Sequence, residues 1–123
     1  MGPTVMIVDD STIVCRQVEK ALSGCGFEVL KAGDGCEALD KLAATPSVAL
    51  VVCDINMPRM DGLEFLVRVR ETAAASVPVV MLTTESQPEL ARRARELGAR
   101  AWITKPFAPD ALVATARKLT GGS

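Results

Sequence analysis

Four short apolar runs, each followed directly by polar residues, constrain the fold of this chain more than any other feature. Runs of this length are typical of buried strands. The runs and the polar residues that follow them are 5–8 before Asp9 and Asp10, 49–53 before Asp54, 79–82 before Thr83 and Thr84, and 101–104 before Lys105. If the runs are parallel strands of one sheet, three carboxylates, a hydroxyl and an ammonium meet at its carboxyl edge, where open α/β sheets bind ligands.

A cluster of carboxylates carries an electrostatic cost that must be offset. At ~4 Å and an effective dielectric constant of ~20, each pair of like charges costs roughly 4 kcal/mol. Such a cluster usually persists because a divalent cation is bound or because one pKa is raised. The pattern therefore predicts a metal site that handles phosphate chemistry.

The segments between the apolar runs have helical spacing. Ser11 can cap the first helix, Gly62 begins the third, and Pro109 fits the first turn of the last. By spacing, the apolar face of the first helix is predicted to hold Val14, Val18, Leu22 and Cys25, and one stripe of the third to hold Leu66, Val69 and Ala73. The second helix is marked by Ala38, Leu39, Leu42 and Ala43, the fourth by Leu90, Ala94 and Leu97, and the last has Leu112, Ala116 and Leu119 facing inward.

With a further strand at about 27–31, five strands alternate with five helices. This alternation predicts one α/β domain over residues 1–123, with a doubly wound parallel sheet. The central runs are apolar on both faces, as a sheet covered by helices on both sides requires.

Composition excludes several classes of protein. The net charge is −1 and the isoelectric point is about 5.4, which argues against a dedicated nucleic-acid binder. No apolar stretch reaches the ~18 residues of a membrane span and no signal pattern is present, so we expect no membrane insertion and a cytoplasmic location. The cysteines (Cys15, Cys25, Cys36 and Cys53) form no C-x-x-C pair, and there is no histidine. A zinc site is therefore not predicted, and we expect reduced thiols.

Five short motifs occur in order along nearly the whole chain, mostly at the predicted strand ends. They are Val8-Asp9-Asp10-Ser11, Cys53-Asp54-Ile55-Asn56-Met57-Pro58, Met60-Asp61-Gly62, Leu82-Thr83-Thr84-Glu85 and Lys105-Pro106-Phe107. Together they resemble the receiver domain of two-component response regulators. The resemblance implies a flavodoxin-like, five-stranded parallel sheet of strand order 2-1-3-4-5.

The resemblance also implies roles for the acidic residues. Asp54 is similar to the phosphoacceptor, a nucleophile that takes a phosphoryl group from a phosphohistidine of a sensor histidine kinase or a histidine phosphotransfer protein. Asp9, Asp10 and Asp54, with the backbone carbonyl of Asn56, resemble the ligands of Mg²⁺. The metal would neutralise charge on the transferred group.

Three residues from the second half of the chain resemble the switch machinery of the family. Lys105 is similar to the lysine that pairs with the phosphoacceptor or its phosphoryl oxygens, and the resemblance implies a cis bond between Lys105 and Pro106. Thr83 resembles the hydroxyl that donates to a phosphoryl oxygen. Trp102 occupies the position of an aromatic that turns inward when this threonine moves.

Asn56 and Glu85 match the chemotaxis-type arrangement within the family. They would flank the path of the attacking water and so tune dephosphorylation, the only reaction we expect of the chain by itself. Thr84 departs from the family pattern, which often has alanine or another small residue there. Its bulk is predicted to slow access of water or small phosphodonors.

The resemblance implies that phosphorylation changes the surface formed by the fourth helix, fifth strand and fifth helix. Arginines lie along this region at Arg92, Arg93, Arg95 and Arg100. They are either a solvated basic face or a docking site for an acidic partner. No output domain follows in this sequence, so we expect a regulator that binds a target protein, with a flagellar motor switch as one example. A phosphorelay intermediate, or a receiver cut from a longer regulator, is equally compatible.

Other function classes fit less well. A Mg²⁺-dependent phosphohydrolase with an aspartate nucleophile would need a second aspartate where Asn56 stands. A flavin-binding module would place its phosphate against Asp9 and Asp10, which would repel it. A receiver used only for docking would lack an acidic residue or the lysine, and none is missing here.

Overall fold

A computed structural model describes residues 2–84 and 86–121 of the chain. Strands and helices alternate throughout. In chain order they are β1 (Thr4–Val8), α1 (Thr12–Ser23), β2 (Glu28–Ala32), α2 (Gly35–Ala44), β3 (Val48–Cys53), α3 (Gly62–Val69), β4 (Val79–Thr83), α4 (Pro88–Glu96), β5 (Ala101–Thr104) and α5 (Pro109–Thr120). The strands form one parallel sheet of order β2-β1-β3-β4-β5. The predicted fold class and strand order are confirmed.

The sheet separates two apolar layers because successive side chains of a strand point to opposite faces. Val5 and Ile7 of β1 pack toward α1 and α5, whereas Met6 and Val8 pack toward α2 and α3. The central strands β1, β3 and β4 are almost wholly buried, and the edge strands β2 and β5 are partly exposed. This burial explains why the central strands are continuous apolar runs.

Side-chain caps begin three of the helices at the carboxyl edge of the sheet. The Ser11 hydroxyl accepts a hydrogen bond from the Val14 backbone N–H at 3.3 Å, as predicted. Asp34 caps α2 and Asp61 caps α3, each accepting from the backbone N–H three residues on. Pro109 begins α5, where its missing N–H costs no helical hydrogen bond. The cap residues therefore place polar side chains at the carboxyl edge of the sheet, in addition to the predicted site residues.

The prediction that Cys25 lies on the inward stripe of the first helix is wrong. The helix α1 ends at Ser23, and Cys25 is exposed in the turn that follows. Cys15 is buried within the helix and packs in the layer shared by α1 and α5.

The prediction that Ala73 continues the apolar stripe of the third helix is also wrong. The helix α3 ends at Val69, and the Arg70 guanidinium donates to the carbonyls of Ala75 and Val77 at 2.6 and 3.0 Å. The chain therefore turns where a longer helix was expected, and Ala73 is exposed. The residues predicted to mark the second helix, Ala38, Leu39, Leu42 and Ala43, all lie in α2.

Within residues 2–84 and 86–121, no helix combines the length and the apolar character needed to cross a membrane.

Candidate functional site

Backbone hydrogen bonds carry the sheet one residue beyond three of its strands. The Asp9 N–H donates to the Ala32 carbonyl, and the Asp54 N–H donates to the Val8 carbonyl, each at 3.0 Å. The Lys105 N–H donates to the Thr83 carbonyl at 2.8 Å. Asp9, Asp54 and Lys105 therefore lie at the carboxyl edge with their backbones hydrogen-bonded to neighbouring strands.

Three carboxylates converge at this edge. Asp9, Asp10 and Asp54 each offer an oxygen, and these oxygens lie within 4.8 Å of one another. Asp9 and Asp54 are buried, whereas Asp10 is exposed. A cavity of about 400 Å³ opens beside Asp9 and Asp10, toward Lys31, Gly33 and Lys41, so the cluster is accessible from solvent. The structure brings together the acidic residues singled out in the sequence.

Lys105 joins two of these carboxylates. Its ammonium Nζ lies 2.7 Å from Asp9 Oδ2 and 3.3 Å from Asp54 Oδ2, and only 13% of its side chain is exposed. The sequence led us to expect pairing with Asp54, and the shorter contact is with Asp9. The peptide bond between Lys105 and Pro106 is cis, as the resemblance implied.

The pKa values in this cluster reflect competition between burial and pairing. Burial raises the pKa of Asp9, and its hydrogen bonds with Lys105 and the Ser11 N–H offset only part of this effect. Burial alone would lower the pKa of Lys105, but the hydrogen bond that its ammonium donates to Asp9 and the charges of Asp54 and Asp9 outweigh it and raise that pKa. The lysine is therefore held as an ammonium between two acidic groups.

The remaining carboxylate oxygens are oriented by the backbone. The Ile55 N–H donates to Asp54 Oδ1 at 2.7 Å, and the Ser11 N–H donates to Asp9 Oδ1 at 2.9 Å. Each buried carboxylate is thus held through one oxygen by its own loop and through the other by Lys105. Both side chains have defined orientations toward the accessible edge.

The other predicted site residues surround this cluster. Thr83 ends β4 and is fully buried, and Thr84 is exposed directly after it. Asn56 is exposed in the loop after Asp54. Trp102 pairs in register with Met81 and packs, partly buried, against the layer on the α2 and α3 side. Glu85 lies outside the described residues.

The donor set is suited to a hard divalent cation. Three carboxylates against one ammonium leave two formal negative charges when all four groups are ionised. Oxygen ligands from carboxylates and carbonyls are those that Mg²⁺ prefers, and they do not favour zinc or copper. On charge and ligand chemistry, Asp9, Asp10 and Asp54 fit the metal that the resemblance implied.

Sequence reasoning missed a second group beside the site. Asp34 is buried at the start of α2, and Arg59 of the β3–α3 loop contacts its Oδ2 through Nε at 2.9 Å and Nη2 at 2.6 Å. The spacing of Asp34 and Glu37 is typical of a capping box and could have revealed the cap. No local pattern pairs Asp34 with a residue 25 positions away.

Comparison with known proteins identifies the family of this fold and site. Residues 5–117 match the response regulator receiver domain family. The chain is 36% identical over 110 residues to chemotaxis protein CheY1 of Helicobacter pylori, covering 88% of this chain and 89% of that protein. It is also 36% identical to a CheY homologue of Campylobacter jejuni, covering 88% and 85% of the two chains.

Solved structures agree with this relationship. Chemotaxis protein CheY4 of Vibrio cholerae superimposes with a TM-score of 0.90 at 37% identity, covering 97% of this chain and 99% of that one. A response regulator of Chloroflexus aurantiacus gives 0.91 at 31% identity, covering 98% and 99%. Receiver domains are signalling modules of two-component systems and differ from conventional enzymes. The chain belongs to the response regulator receiver domain family and is homologous to the CheY chemotaxis regulators.

Proposed function

We propose that residues 1–123 form one cytoplasmic receiver domain that is phosphorylated on Asp54. The donor is a sensor histidine kinase or a histidine phosphotransfer protein. The observation that carries the proposal is the position of the Lys105 ammonium, which contacts both Asp9 and Asp54 beside the exposed Asp10. A buried lysine joined to a nucleophilic carboxylate at an accessible acidic edge is an arrangement suited to phosphoryl transfer.

In the proposed reaction, an Asp54 carboxylate oxygen forms a bond to phosphorus as the phosphorus–nitrogen bond of the donor breaks. The imidazole of the donor leaves with the bonding electrons and acquires a proton. Asp9, Asp10, Asp54 and the backbone carbonyl of Asn56 would hold Mg²⁺. When bound, this ion offsets the negative charge of the incoming group. Lys105 then pairs with the phosphoryl oxygens, for which its raised pKa keeps it charged.

Loss of the phosphoryl group would depend on residues around the acceptor. Asn56 and Glu85 would flank the attacking water, and the exposed Thr84 would restrict its approach. The proposed reaction is self-dephosphorylation, which regenerates the Asp54 carboxylate and releases inorganic phosphate. The domain thereby sets the lifetime of its own signal.

Phosphorylation is proposed to act on a target through the surface of α4, β5 and α5. Thr83 would donate its hydroxyl to a phosphoryl oxygen, and Trp102 would move inward behind it. A groove of about 60 Å³ between α4 and β5 is lined by Trp102, Arg95 and Arg100, so this movement would alter an accessible basic surface. Shifting a two-state equilibrium from ~1% to ~99% requires about 5.5 kcal/mol of differential binding.

The names of the relatives favour a chemotaxis target, such as a flagellar motor switch, over other outputs. The basic surface is compatible with an acidic segment of that partner. The exposed arginines of α4 would provide the charge complementarity, which mainly increases association rate and specificity.

Tryptophan fluorescence tests the proposal because Trp102 is the sole tryptophan in the sequence. Mg²⁺ is titrated first, and beryllofluoride, a mimic of the phosphoryl group, is then added. The expected result is a fluorescence change in the wild type that is absent in Asp54→Ala. Intact-mass measurement with acetyl phosphate should show one added phosphoryl group in the wild type alone. Failure of the wild type to gain mass from acetyl phosphate or a phosphohistidine donor would overturn the proposal.

A further inference from the structure

The loop between β3 and α3 carries Asn56 and is closed tightly at its base. The Gly62 N–H donates to the Ile55 carbonyl at 2.8 Å. A Cβ atom added to Gly62 would lie 2.3 Å from the Asp54 carbonyl oxygen, so only glycine allows α3 to begin this close to the strand. The base of the loop is therefore fixed relative to Asp54.

The tip of the same loop is held by residues from another part of the chain. Arg59 donates through Nε and Nη2 to Asp34 Oδ2 at 2.9 and 2.6 Å. Next to this contact, a Cβ atom added to Gly35 would lie 2.8 Å from the Met60 sulfur, which shows how closely the tip packs on α2. The tip is thus connected to the first turn of α2.

The loop conformation is unusual at the residue that makes this connection. Arg59 has φ of +66°, a left-handed conformation that residues with a side chain seldom adopt. A backbone hydrogen bond from the Met60 N–H to the Pro58 carbonyl at 2.7 Å spans this residue, and the ion pair with Asp34 connects it to α2. The contact with Asp34 therefore stabilises a conformation that the loop sequence does not prefer.

Asp34 is a rigid anchor for the arginine. It is buried, and its Oδ1 accepts from the Glu37 N–H at 2.9 Å while its Oδ2 faces Arg59. The Glu37 carboxylate in turn accepts from the Gly33 N–H at 2.7 Å. The hydrogen bond from Glu37, followed by that from Arg59, lowers the pKa of Asp34, which keeps it charged at neutral pH.

We infer that Arg59 and Asp34 are positioning residues for the cation site. By fixing the tip of a loop whose base is already closed, their ion pair determines where the Asn56 carbonyl points relative to Asp9, Asp10 and Asp54. This inference rests on the proposed Mg²⁺ site. Arg59 is 63% exposed, and exposed ion pairs contribute little to global stability, so the effect is local.

The test measures Mg²⁺ affinity by isothermal titration calorimetry in Asp34→Asn, Arg59→Met and the double variant. Asparagine can still cap α2, and methionine keeps a long side chain and the unfavourable positive φ at position 59, so each variant removes the ion pair with little other change. We expect each single variant to weaken Mg²⁺ affinity by roughly three-fold. This is less than the roughly ten-fold loss typical when a group hydrogen-bonded directly to a metal-ligating side chain is removed. The double variant should be no weaker than either single variant.

The direction in which Mg²⁺ affinity changes in the two single variants distinguishes a positioning role from a long-range electrostatic effect. If only charge mattered, removing Arg59 would tighten Mg²⁺ binding and removing the Asp34 charge would weaken it. If the ion pair positions the loop, Mg²⁺ binding is weaker in both single variants. Arg68→Ala, which removes an exposed arginine of α3, is the matched control and should leave affinity unchanged.

The outcomes distinguish this inference from the proposed function. Wild-type protein that binds no Mg²⁺ would contradict the proposed function itself. A wild type that binds Mg²⁺, with unchanged affinity in both single variants or with opposite signs, would overturn the positioning role alone. Faster amide hydrogen exchange at residues 56–60 in both variants, with unchanged exchange in the central strands, would support it independently.

Discussion

The two ends of the parallel sheet differ in what their side chains do. At the carboxyl end, Asp9, Asp54 and Lys105 form a buried charged cluster beside solvent. At the amino end, Leu42 and Val48 help line a largely apolar cavity of about 250 Å³ between the α2–β3 and α3–β4 turns. Burial of apolar surface stabilises folds, whereas clustered carboxylates oppose folding. Apolar packing along the strands and at the amino end therefore stabilises the fold, and this stability offsets the repulsion between carboxylates at the carboxyl end.

This separation predicts that substitutions at the two ends have opposite effects on stability and activity. Apolar truncation at the amino end should lower stability and leave the site intact. Loss of the exposed Asp10 carboxylate at the carboxyl end, which Lys105 does not contact in the described ion pairs, should impair metal binding and leave the free protein equally or more stable. The following substitutions test this difference between the two ends of the sheet.

The largest effect on stability is expected for Leu42→Ala at the amino end. Leu42 is 5% exposed, and its truncation should lower the free energy of unfolding by about 3 kcal/mol. Urea denaturation measures this loss, and Leu39→Ala, at a partly buried neighbour, should lose less. The initial rate of phosphorylation should equal that of the wild type. A large drop in that rate in the folded variant would show that the two ends are coupled.

Asp10→Asn should produce the reverse pattern at the carboxyl end. Mg²⁺ affinity should fall by about 10- to 100-fold, as for loss of groups that support a metal site. Asp10 is exposed, so its repulsion from Asp9 and Asp54 is screened by water and is nearer ~1 than ~4 kcal/mol for each pair. Without Mg²⁺, relief of this repulsion should raise the free energy of unfolding by roughly 1 to 2 kcal/mol. Calorimetry and urea denaturation measure the two quantities. Asp40→Asn, at an exposed position of α2, should change neither, and a destabilised Asp10→Asn would contradict the contrast.

The pH dependence of stability should reveal the buried carboxylate outside the metal cluster. The Glu37 N–H and then Arg59 lower the pKa of Asp34 in the folded protein. Its contribution is therefore fully present above the unfolded pKa of about 3.9 and is lost as pH falls through the lower folded value. The stability difference between wild type and Asp34→Asn should be constant from neutral pH to about pH 5 and shrink in stronger acid. A stability difference that became larger in acid would show that folding raises the pKa of Asp34 and does not lower it.

The smallest effect is expected for Thr84→Ala. Thr84 is exposed next to the buried Thr83, so removing its side chain should widen access to the site without affecting the core. Phosphorylation by acetyl phosphate should become a few times faster, as measured by intact mass against time. Thr115→Ala on α5 controls for loss of a threonine elsewhere. An unchanged rate would show that Thr84 does not limit access.

The sequence predicted strands and helix caps well where they depend on residues close together in the chain. The apolar runs became β1, β3, β4 and β5, and Ser11 became the cap of α1. Cys25 and Ala73 were misplaced because helix ends are determined by competing contacts. The Arg70 guanidinium, for example, binds carbonyls of the following turn at the point where the α3 stripe was expected to continue.

By itself, the sequence determined that acidic residues and a lysine follow buried strands, because side-chain alternation and apolar patterning are local. The strand order came from family resemblance, and the roles of the site residues stay predictions. Only the tertiary structure decided which charges meet. Lys105 lies closer to Asp9 than to Asp54, and Arg59 reaches Asp34 across 25 residues of chain. Such distances depend on how strands and loops pack, and no local pattern of residues encodes them.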